Sequence, residues 1–134
     1  MRAKLPLVVI MSVALSGCAA LALTPTNASG TWGGPHASLI LEGGLGTVEY
    51  DCASGTIDTP VVPARDGSFT ATGTHRPGQG GPIRVGQIFT SVRAVYAGKV
   101  EKDHITLGVV LDDGTTLGPF SLDRGVQAQL TRCL

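Results

Sequence analysis

Apolar and polar residues alternate with a period of two along most of the chain after residue 30. This period is that of a β-strand with one buried side and one solvent-facing side. The clearest segment places its apolar residues on one face, at Ile105, Leu107, Val109 and Leu111. No stretch of this region keeps a helical period of 3.6 for more than two turns, so the pattern predicts an all-β domain.

Turn sequences rich in Gly and Asp separate the alternating segments. Asp113-Gly114 is a strong turn signal, because an Asp-Gly pair suits the two-residue turn of a hairpin. The predicted strands cover residues 37–41, 48–52, 56–57, 68–74, 92–101, 105–111, 116–122 and 126–133. Seven or eight short antiparallel strands indicate a small barrel or a sandwich. A closed barrel would leave no exposed strand edge.

Residues 76–91 interrupt this alternation with several Gly and Pro residues, and they form the longest predicted loop. Long loops on compact domains often carry function. The alternative is a flexible insertion without a role.

The last predicted strand also has an irregular pattern. Val126, Ala128 and Leu130 share one face, whereas Cys133 falls on the other. Either a bulge near Thr131 restores the alternation, or Cys133 lies outside the main core.

The first 17 residues have the features of a secretory signal peptide. Two of the first four residues are basic, residues 5–15 are almost entirely apolar, and Ser16-Gly17 are small. The apolar run is about half of the roughly 20 residues that a membrane-spanning helix requires, so we expect cleavage. Residues 18–30 are predicted to be a short tether. Residues 31–134 are predicted to be a single β domain.

Cleavage would leave 117 residues with a net charge of −2. This charge is too weak and too dispersed for a nucleic-acid partner, which requires a concentrated basic surface. A domain of about 100 residues buries only a modest core, so a covalent cross-link would help it to stay folded.

The segment Leu15-Ser16-Gly17-Cys18 resembles the lipobox of bacterial lipoproteins. The resemblance covers only the first 18 residues, but all four lipobox positions match. It implies transfer of a diacylglycerol to the Cys18 sulfur, cleavage before Cys18 and acylation of the new amino terminus. Two or three acyl chains give stable anchoring, so the lipid bilayer is an expected partner. The alternative is an ordinary signal peptide with an unrelated cysteine.

The residue after Cys18 bears on the location of such a lipoprotein. In bacteria with two membranes, an Asp at this position typically retains a lipoprotein in the inner membrane. Ala19 stands there in this chain. The resemblance therefore implies a lipid-anchored protein of the cell envelope, at the outer membrane.

Cys52 and Cys133 remain once Cys18 is assigned to lipid. An exported protein meets an oxidising compartment, where an even pair of cysteines forms a disulfide. The chain-entropy model gives a loop of about 80 residues a stabilisation of about 4.5 kcal/mol. The alternative is a pair of free thiols in a reactive or metal site, although no Cys-x-x-Cys spacing is present.

No residue pattern identifies a catalytic or metal site. A zinc site needs three or four converging ligands, whereas His36, His75 and His104 are scattered, with only the first two placed where they could converge. No Gly-x-Ser-x-Gly nucleophile elbow occurs, and Asp112-Asp113 is explained by a turn. We therefore expect no enzymatic activity, no cofactor and no metal.

Trp32, the only tryptophan, lies in a glycine-rich segment at the boundary between tether and domain. Two roles remain open for it: capping the barrel, or anchoring a partner as an interface aromatic. His36 and Arg93 are weaker candidates for a binding surface.

The stretch Tyr50-x-Cys52-x-x-Gly55, together with Cys133, resembles the membrane-bound inhibitors of C-type lysozyme. These are small β-barrel lipoproteins in which this cysteine pairs with one near the C-terminus. The resemblance covers four positions plus the lipid anchor. It implies inhibition of lysozyme-type cell-wall hydrolases as an alternative function.

This chain departs from the inhibitor pattern in two ways. A predicted strand precedes the Tyr-x-Cys strand, which comes first in that family. The nearest counterpart of the inhibitory loop, Ser91-Val92-Arg93-Ala94, lacks the lysine and the glycine richness. The whole chain also resembles small uncharacterised bacterial lipoproteins that end in Arg/Lys-Cys-Leu, which imply no function. The leading expectation is therefore an envelope lipoprotein with a non-enzymatic binding or structural role, with an envelope protein as a possible partner.

Overall fold

The computed structural model describes residues 28–78, 81–88 and 90–133. The predicted signal peptide, Cys18 and most of the predicted tether lie outside these residues. The described chain forms eight β-strands: β1 Gly30–Gly34, β2 Ala37–Glu42, β3 Leu45–Tyr50, β4 Ala53–Ile57, β5 Ser68–Pro77, β6 Val92–Glu101, β7 His104–Leu111 and β8 Thr116–Arg124. None of the described residues lies in a helix long and apolar enough to span a membrane.

The strands form a closed antiparallel barrel in which each strand pairs with the next along the chain. Closure is made between β8 and β1, where Trp32 lies opposite Arg124 and Gly33 lies opposite Asp123. The all-β prediction is confirmed, and of the two predicted architectures the barrel is the one observed. Closure gives every strand a partner on both sides, which leaves no exposed sheet edge.

The apolar residues of the alternating pattern point inward and fill the barrel interior. In the cross-strand pair formed by Leu39 and Val48, both side chains point inward, and so do those of the pair formed by Tyr96 and Val109. The largest completely buried side chains are Trp32, Tyr96, Leu39, Leu41, Ile57, Ile105, Leu107, Leu122, Val48 and Val109. The barrel therefore has a packed core through most of its length.

The connections divide the barrel into two ends, which we call the mouth end and the tether end. The mouth end carries the turns at residues 35–36, 51–52 and 112–115 and the long loop at 78–91. The tether end carries residues 28–29, the turns at 43–44 and 102–103 and the loop at 58–67. The domain thus begins at the end opposite the mouth.

The tether end is closed by apolar side chains. Val61, from the loop between β4 and β5, is buried, and its backbone N–H donates to the Gly44 carbonyl at 2.9 Å. Ala28 is also buried, and its carbonyl accepts a 2.9 Å hydrogen bond from the Trp32 indole N–H. These contacts cover the core at the tether end.

Two predictions about the strands were wrong. Residues 126–133 do not form a strand, and their only ladder contact is an isolated parallel bridge between Pro35 and Gln129. The glycine-rich segment Gly30–Gly34 forms β1 instead and occupies the edge of β8. Gly125, with φ 71°, turns the chain away from the barrel directly after β8, so the last residues run outside it.

The hairpin of β3 and β4 also differs from the prediction. Cys52 was placed on the same strand face as Val48 and Tyr50, but it lies in the turn after β3 with φ 53°. Residues 53–55, predicted as a turn, open β4. Of the two arrangements considered for Cys133, the second holds: the cysteine pair lies outside the barrel core.

Candidate ligand site at the barrel mouth

A cavity of about 320 Å³ opens at the mouth end of the barrel. Three buried or half-buried rings line its inner part: Tyr50, His75 and Phe120. The remaining lining residues, nearer the rim, are Ala53, Pro77, Leu117, His36, Asp51 and Cys52. The mouth of a β-barrel is a preferred place for a small-molecule site, so this cavity is the candidate functional site.

Strand register brings the three rings together. Tyr50 is the last residue of β3, and His75 points inward near the end of β5. The ring centre of Tyr50 lies 5.5 Å from that of His75 and 5.4 Å from that of Phe120, with both pairs tilted. These separations are typical of aromatic pairs in contact. The inner wall of the cavity is therefore a cluster of ring faces and edges.

Gly55 makes room beneath this cluster. It lies opposite His75 on β4, and a Cβ atom there would collide with the Tyr96 hydroxyl. That hydroxyl donates a 2.6 Å hydrogen bond to the Thr74 carbonyl. A glycine is thus required where Tyr96 crosses the barrel below the cavity.

His75 is a buried histidine without a polar partner. It is 6 % exposed, and its Nδ1 atom is buried with no hydrogen-bond partner among the described residues. Burial lowers its pKa below the usual value. The ring is therefore neutral near pH 7, because nothing around it compensates for the loss of water around a charge.

The Tyr50 hydroxyl is buried in the same region and likewise has no hydrogen-bond partner of good geometry in the described chain. Burial raises the pKa of Tyr50 far above its usual value, and the neighbouring Tyr96 hydroxyl acts in the same direction. Tyr96 donates its own hydrogen to the Thr74 carbonyl, which leaves the Tyr96 oxygen able to accept from the Tyr50 hydroxyl. The inner wall carries no charge.

The polar groups at the rim are hydrogen-bonded to each other. The His36 ring is hydrogen-bonded to the Asp51 carboxylate, and the Thr131 backbone N–H donates to the same carboxylate at 2.6 Å. The bond from Thr131 is the main cause of the lowered pKa of Asp51, and His36 adds to it. His36 reaches this position from the turn after β1, where its φ is 68°.

The sulfurs of Cys52 and Cys133 lie at disulfide distance, in agreement with the predicted pairing. Their Cα atoms are 4.9 Å apart, and 81 residues separate them along the chain. The Cys52 backbone N–H also donates to the Thr131 carbonyl at 3.2 Å. Together these bonds hold the C-terminal segment against the rim, beside the cavity.

The long loop lies at the same end. Its described residues expose three large apolar side chains, those of Ile83, Val85 and Ile88. Ile83 also lines a groove of about 660 Å³ between this loop and the C-terminal segment, where Leu130 stands on the opposite side. This groove adjoins the mouth cavity, since Tyr50, Cys52, Ala53 and Pro77 line both.

The other sequence-predicted binding residues lie elsewhere. Trp32 is completely buried inside the barrel, and its indole N–H is bonded to Ala28, so it presents no surface to a partner. Arg93 points outward on β6 and lines a surface cleft with Asp58 and Asp112. Of the predicted candidates, only His36 lies at the barrel mouth.

The two histidines that could converge do line the same cavity. However, no three His, Cys, Asp or Glu side chains in the described part of the chain are placed to hold a metal ion. His36 is instead engaged with Asp51, and His75 lies deeper among the aromatic rings.

A serine, a histidine and an aspartate that sequence reasoning missed line up on the outer face of the barrel. The Ser121 Oγ is 3.2 Å from His104 Nε2, and His104 Nδ1 is 2.9 Å from Asp123 Oδ1. The order of contacts is that of a hydrolytic triad. Only the pairing of β7 with β8 brings these residues together, and no local motif in the sequence marks them.

The surroundings of this trio do not suit acyl transfer. The side chains of His104 and Asp123 are 35 % and 59 % exposed, so water screens their interaction. Strand β8 pairs with β7 through Ser121 and Asp123, so the backbone N–H groups on that side are part of the sheet and are not available to an oxyanion. We interpret the trio as a surface hydrogen-bond network.

No family model matches the chain, and comparison with curated proteins and with solved structures finds no match. The function is therefore argued from the geometry of the chain itself.

Proposed function

We propose that this protein is a lipid-anchored protein of the cell envelope with a non-enzymatic binding role, and that the barrel mouth is its binding site. The observation that carries the binding role is the open cavity at one end of an otherwise filled barrel. The lipid anchor rests on the resemblance of Leu15-Ser16-Gly17-Cys18 to a lipobox.

The direction in which the chain enters the domain supports this arrangement. The domain begins at Ala28 and Ser29 at the tether end, and the cavity lies at the mouth end. If Cys18 is acylated, the body of the barrel stands between the membrane and the cavity. The cavity would then face a ligand in solution rather than the bilayer that holds the anchor.

The chemistry of the titratable groups supports a role without catalysis. The His36 ring at the rim is bonded to Asp51 and to no hydroxyl or thiol of the described residues. A nucleophile needs an adjacent base to be activated. The one described serine that contacts a histidine, Ser121, lies on an exposed sheet surface.

The anchor is tested by metabolic labelling with a palmitate analogue. Wild-type protein should take up the label and sediment with envelope membranes, whereas Cys18→Ser should do neither. Equal labelling of both proteins, or none of either, would overturn the anchor. A density gradient that separates the two membranes then tests the outer-membrane location implied by Ala19.

The non-enzymatic role is tested with an activated ester such as p-nitrophenyl acetate. Its hydrolysis by the full chain should remain at the level caused by buffer and surface histidines. Ser121→Ala should leave this rate unchanged, as should Ser91→Ala as a matched control. A rate that falls only in Ser121→Ala would show that the outer-face trio is catalytic.

Inhibition of lysozyme-type hydrolases is the second candidate. The bond between Cys52 and Cys133 favours it, because the resembling inhibitors pair the same cysteines. Against it, Val92–Glu101 is strand β6, so most of the segment matched to the inhibitory loop is not a loop here. The full chain should slow lysis of peptidoglycan by C-type lysozyme if this candidate is correct. Absence of inhibition of C-, G- and I-type lysozymes would eliminate it.

A further inference from the structure

We propose that the mouth cavity binds a small, uncharged, planar molecule that carries one hydrogen-bond acceptor, and that His75 donates a hydrogen bond to that acceptor. This inference deepens the binding role proposed above and rests on it. It names the chemical class of the ligand and the side chain that selects it.

The ligand is uncharged because no unpaired charge faces the cavity. The titratable groups around His75 are Tyr50 in the inner wall and the pair of His36 and Asp51 at the rim. Tyr50 is neutral, and both oxygens of the Asp51 carboxylate already accept hydrogen bonds, from His36 and from the Thr131 backbone N–H. A charged ligand would lose its water without gaining a counter-charge, which strongly disfavours its entry.

The ligand is planar and largely apolar because of the inner wall. The rings of Tyr50, His75 and Phe120 lie 5.4 to 5.5 Å apart in tilted contact and leave ring faces and edges to the cavity. Ala53, Pro77 and Leu117 complete an apolar surround. Such a surface favours an aromatic or similar flat molecule through stacking and burial of apolar area. The volume of about 320 Å³ suits a single ring with a substituent.

The acceptor follows from the two nitrogens of His75. Nδ1 is buried and has no hydrogen-bond partner in the described chain, and the ring lines the cavity. Nε2 is then the nitrogen within reach of a ligand. A buried N–H without an acceptor is rare in proteins, so the neutral ring should carry its proton on Nε2 and leave Nδ1 as a bare acceptor. The group facing the cavity is a donor, and its partner is an acceptor such as a carbonyl or hydroxyl oxygen.

The hydrogen bond to the ligand is specific to Nε2. The buried nitrogen without a partner is Nδ1, which stays a bare acceptor whether or not a ligand is bound. A ligand acceptor therefore pairs with Nε2 alone, and the gain in affinity is that of one net hydrogen bond.

Three matched probes test the ligand class: benzamide, benzoate and toluene. They share the ring and differ in having a neutral acceptor, a charged acceptor or no acceptor. Each probe is titrated into the full chain carrying Cys18→Ser at pH 8. Binding is monitored through the ¹⁵N signals of the histidine rings. Benzamide should bind with a dissociation constant of about 1 mM or lower. Toluene should bind about 3 to 10 times more weakly, because one hydrogen bond is lost.

The ¹⁵N signals test the role of His75 directly. In the free protein, the pattern of the two nitrogens should show protonation at Nε2, and benzamide should shift Nε2 more than Nδ1. His104, at the tether end, should not shift. Protonation at Nδ1 in the free protein would contradict the assignment of the donor.

Two variants locate the site. His75→Phe should keep the shape of the cavity wall but lower the affinity for benzamide to that for toluene. Ala53→Phe should fill the mouth cavity and abolish binding of both benzamide and toluene, while His75 stays in place. The matched control, His104→Phe, should bind all three probes like the parent protein. Ala53→Phe also keeps the test valid if His75→Phe fails to fold.

Three results would overturn the proposal: no saturable binding of benzamide up to about 10 mM, ten times the expected dissociation constant; binding unaffected by Ala53→Phe; or benzoate binding more tightly than benzamide. The last would show a site for anions. A protein that is labelled by palmitate but binds none of the probes would keep its proposed anchor and lose this ligand class. A protein that binds benzamide but takes up no palmitate label would keep this ligand class and lose its proposed anchor.

Discussion

The guanidinium of Arg124 lies 4.1 Å from the centre of the Trp32 ring, across the pairing of β8 with β1 that closes the barrel. The same group donates to the Ser29 carbonyl at 2.5 Å and to the Asp103 carboxylate at 2.9 Å. One side chain thus joins the start of the domain, its last strand and the turn between β6 and β7. The closure of the barrel depends on this contact, because β1 is only five residues long.

Replacement of Arg124 should therefore weaken the whole domain. Arg124→Ala should lower the free energy of unfolding by about 2 kcal/mol, from the lost contact with Trp32 and the lost charged hydrogen bonds. Arg124→Lys should recover less than half of this loss, since an ammonium lacks the planar fork. The measurement is urea unfolding followed by Trp32 fluorescence. Arg65→Ala, at an exposed loop position, is the control and should change stability by less than about 0.5 kcal/mol.

Gly55 should tolerate no side chain. In Gly55→Ala the new Cβ meets the Tyr96 hydroxyl and the Thr74 carbonyl, so the free energy of unfolding should fall by about 3 kcal/mol. Adding Tyr96→Phe should restore part of the loss, because it removes one of the two clashing oxygens. Gly108→Ala is a matched control on β7, where the nearest atom to a new Cβ is 3.6 Å away. Equal losses in the two alanine variants would contradict this account of the space below the cavity.

His75 should make stability depend on pH. Its pKa is lower in the folded protein than in the unfolded chain, so the unfolded chain takes up a proton first as the pH falls. Stability should be full above the unfolded pKa and should decline from about pH 6.5 downward, by at most about 1.4 kcal/mol per pH unit. The carboxylates with lowered pKa, such as Asp51, lose their contribution only at lower pH.

The variant His75→Phe separates the pH dependence caused by His75 from that caused by the other titratable groups. At pH 7.5 the variant should be about 1 kcal/mol more stable than wild type, because a buried polar group without a partner is removed. The difference should grow between pH 6.5 and 5.5, where the wild type alone takes up a proton at residue 75. Guanidinium unfolding at a series of pH values measures both quantities. A variant that is less stable than wild type at every pH would show that His75 has a structural partner.

The disulfide should contribute strongly to stability. Cys52→Ala together with Cys133→Ala should reduce the free energy of unfolding by about 2 to 5 kcal/mol, because the bond closes a loop of 81 residues. The loss should be insensitive to added reductant, whereas wild type with reductant should match the variant. Mass spectrometry of peptides without reductant should find the linked pair. Free thiols at both positions would contradict the bond.

The sequence alone determined the all-β class and the positions of most strands. The period of two directly reports which side of a strand faces the core, so β2, β5, β6, β7 and β8 follow from local composition. The cysteine pair followed from the even number of cysteines that remains once Cys18 is assigned to lipid, in a chain that is expected to be exported. These inferences need only local pattern and general chemistry.

Tertiary structure decided which strand closes the barrel. Gly30–Gly34 offers one large apolar residue, Trp32, and too little alternation to be recognised as a strand. Residues 126–133 alternate better but are excluded from the sheet, because β1 already occupies the free edge of β8. Closure is a competition between segments far apart in the chain, and local pattern does not record its outcome.

The candidate site could not be predicted from the sequence, because it too depends on segments far apart in the chain. Tyr50, His75 and Phe120 come from three strands, and each fits the core pattern of its own strand when it is considered by itself. Only the barrel brings their rings to one end and leaves Nδ1 of His75 without a partner. The alternation specified which side chains point inward, and the register of the closed sheet decided which of them meet at the mouth.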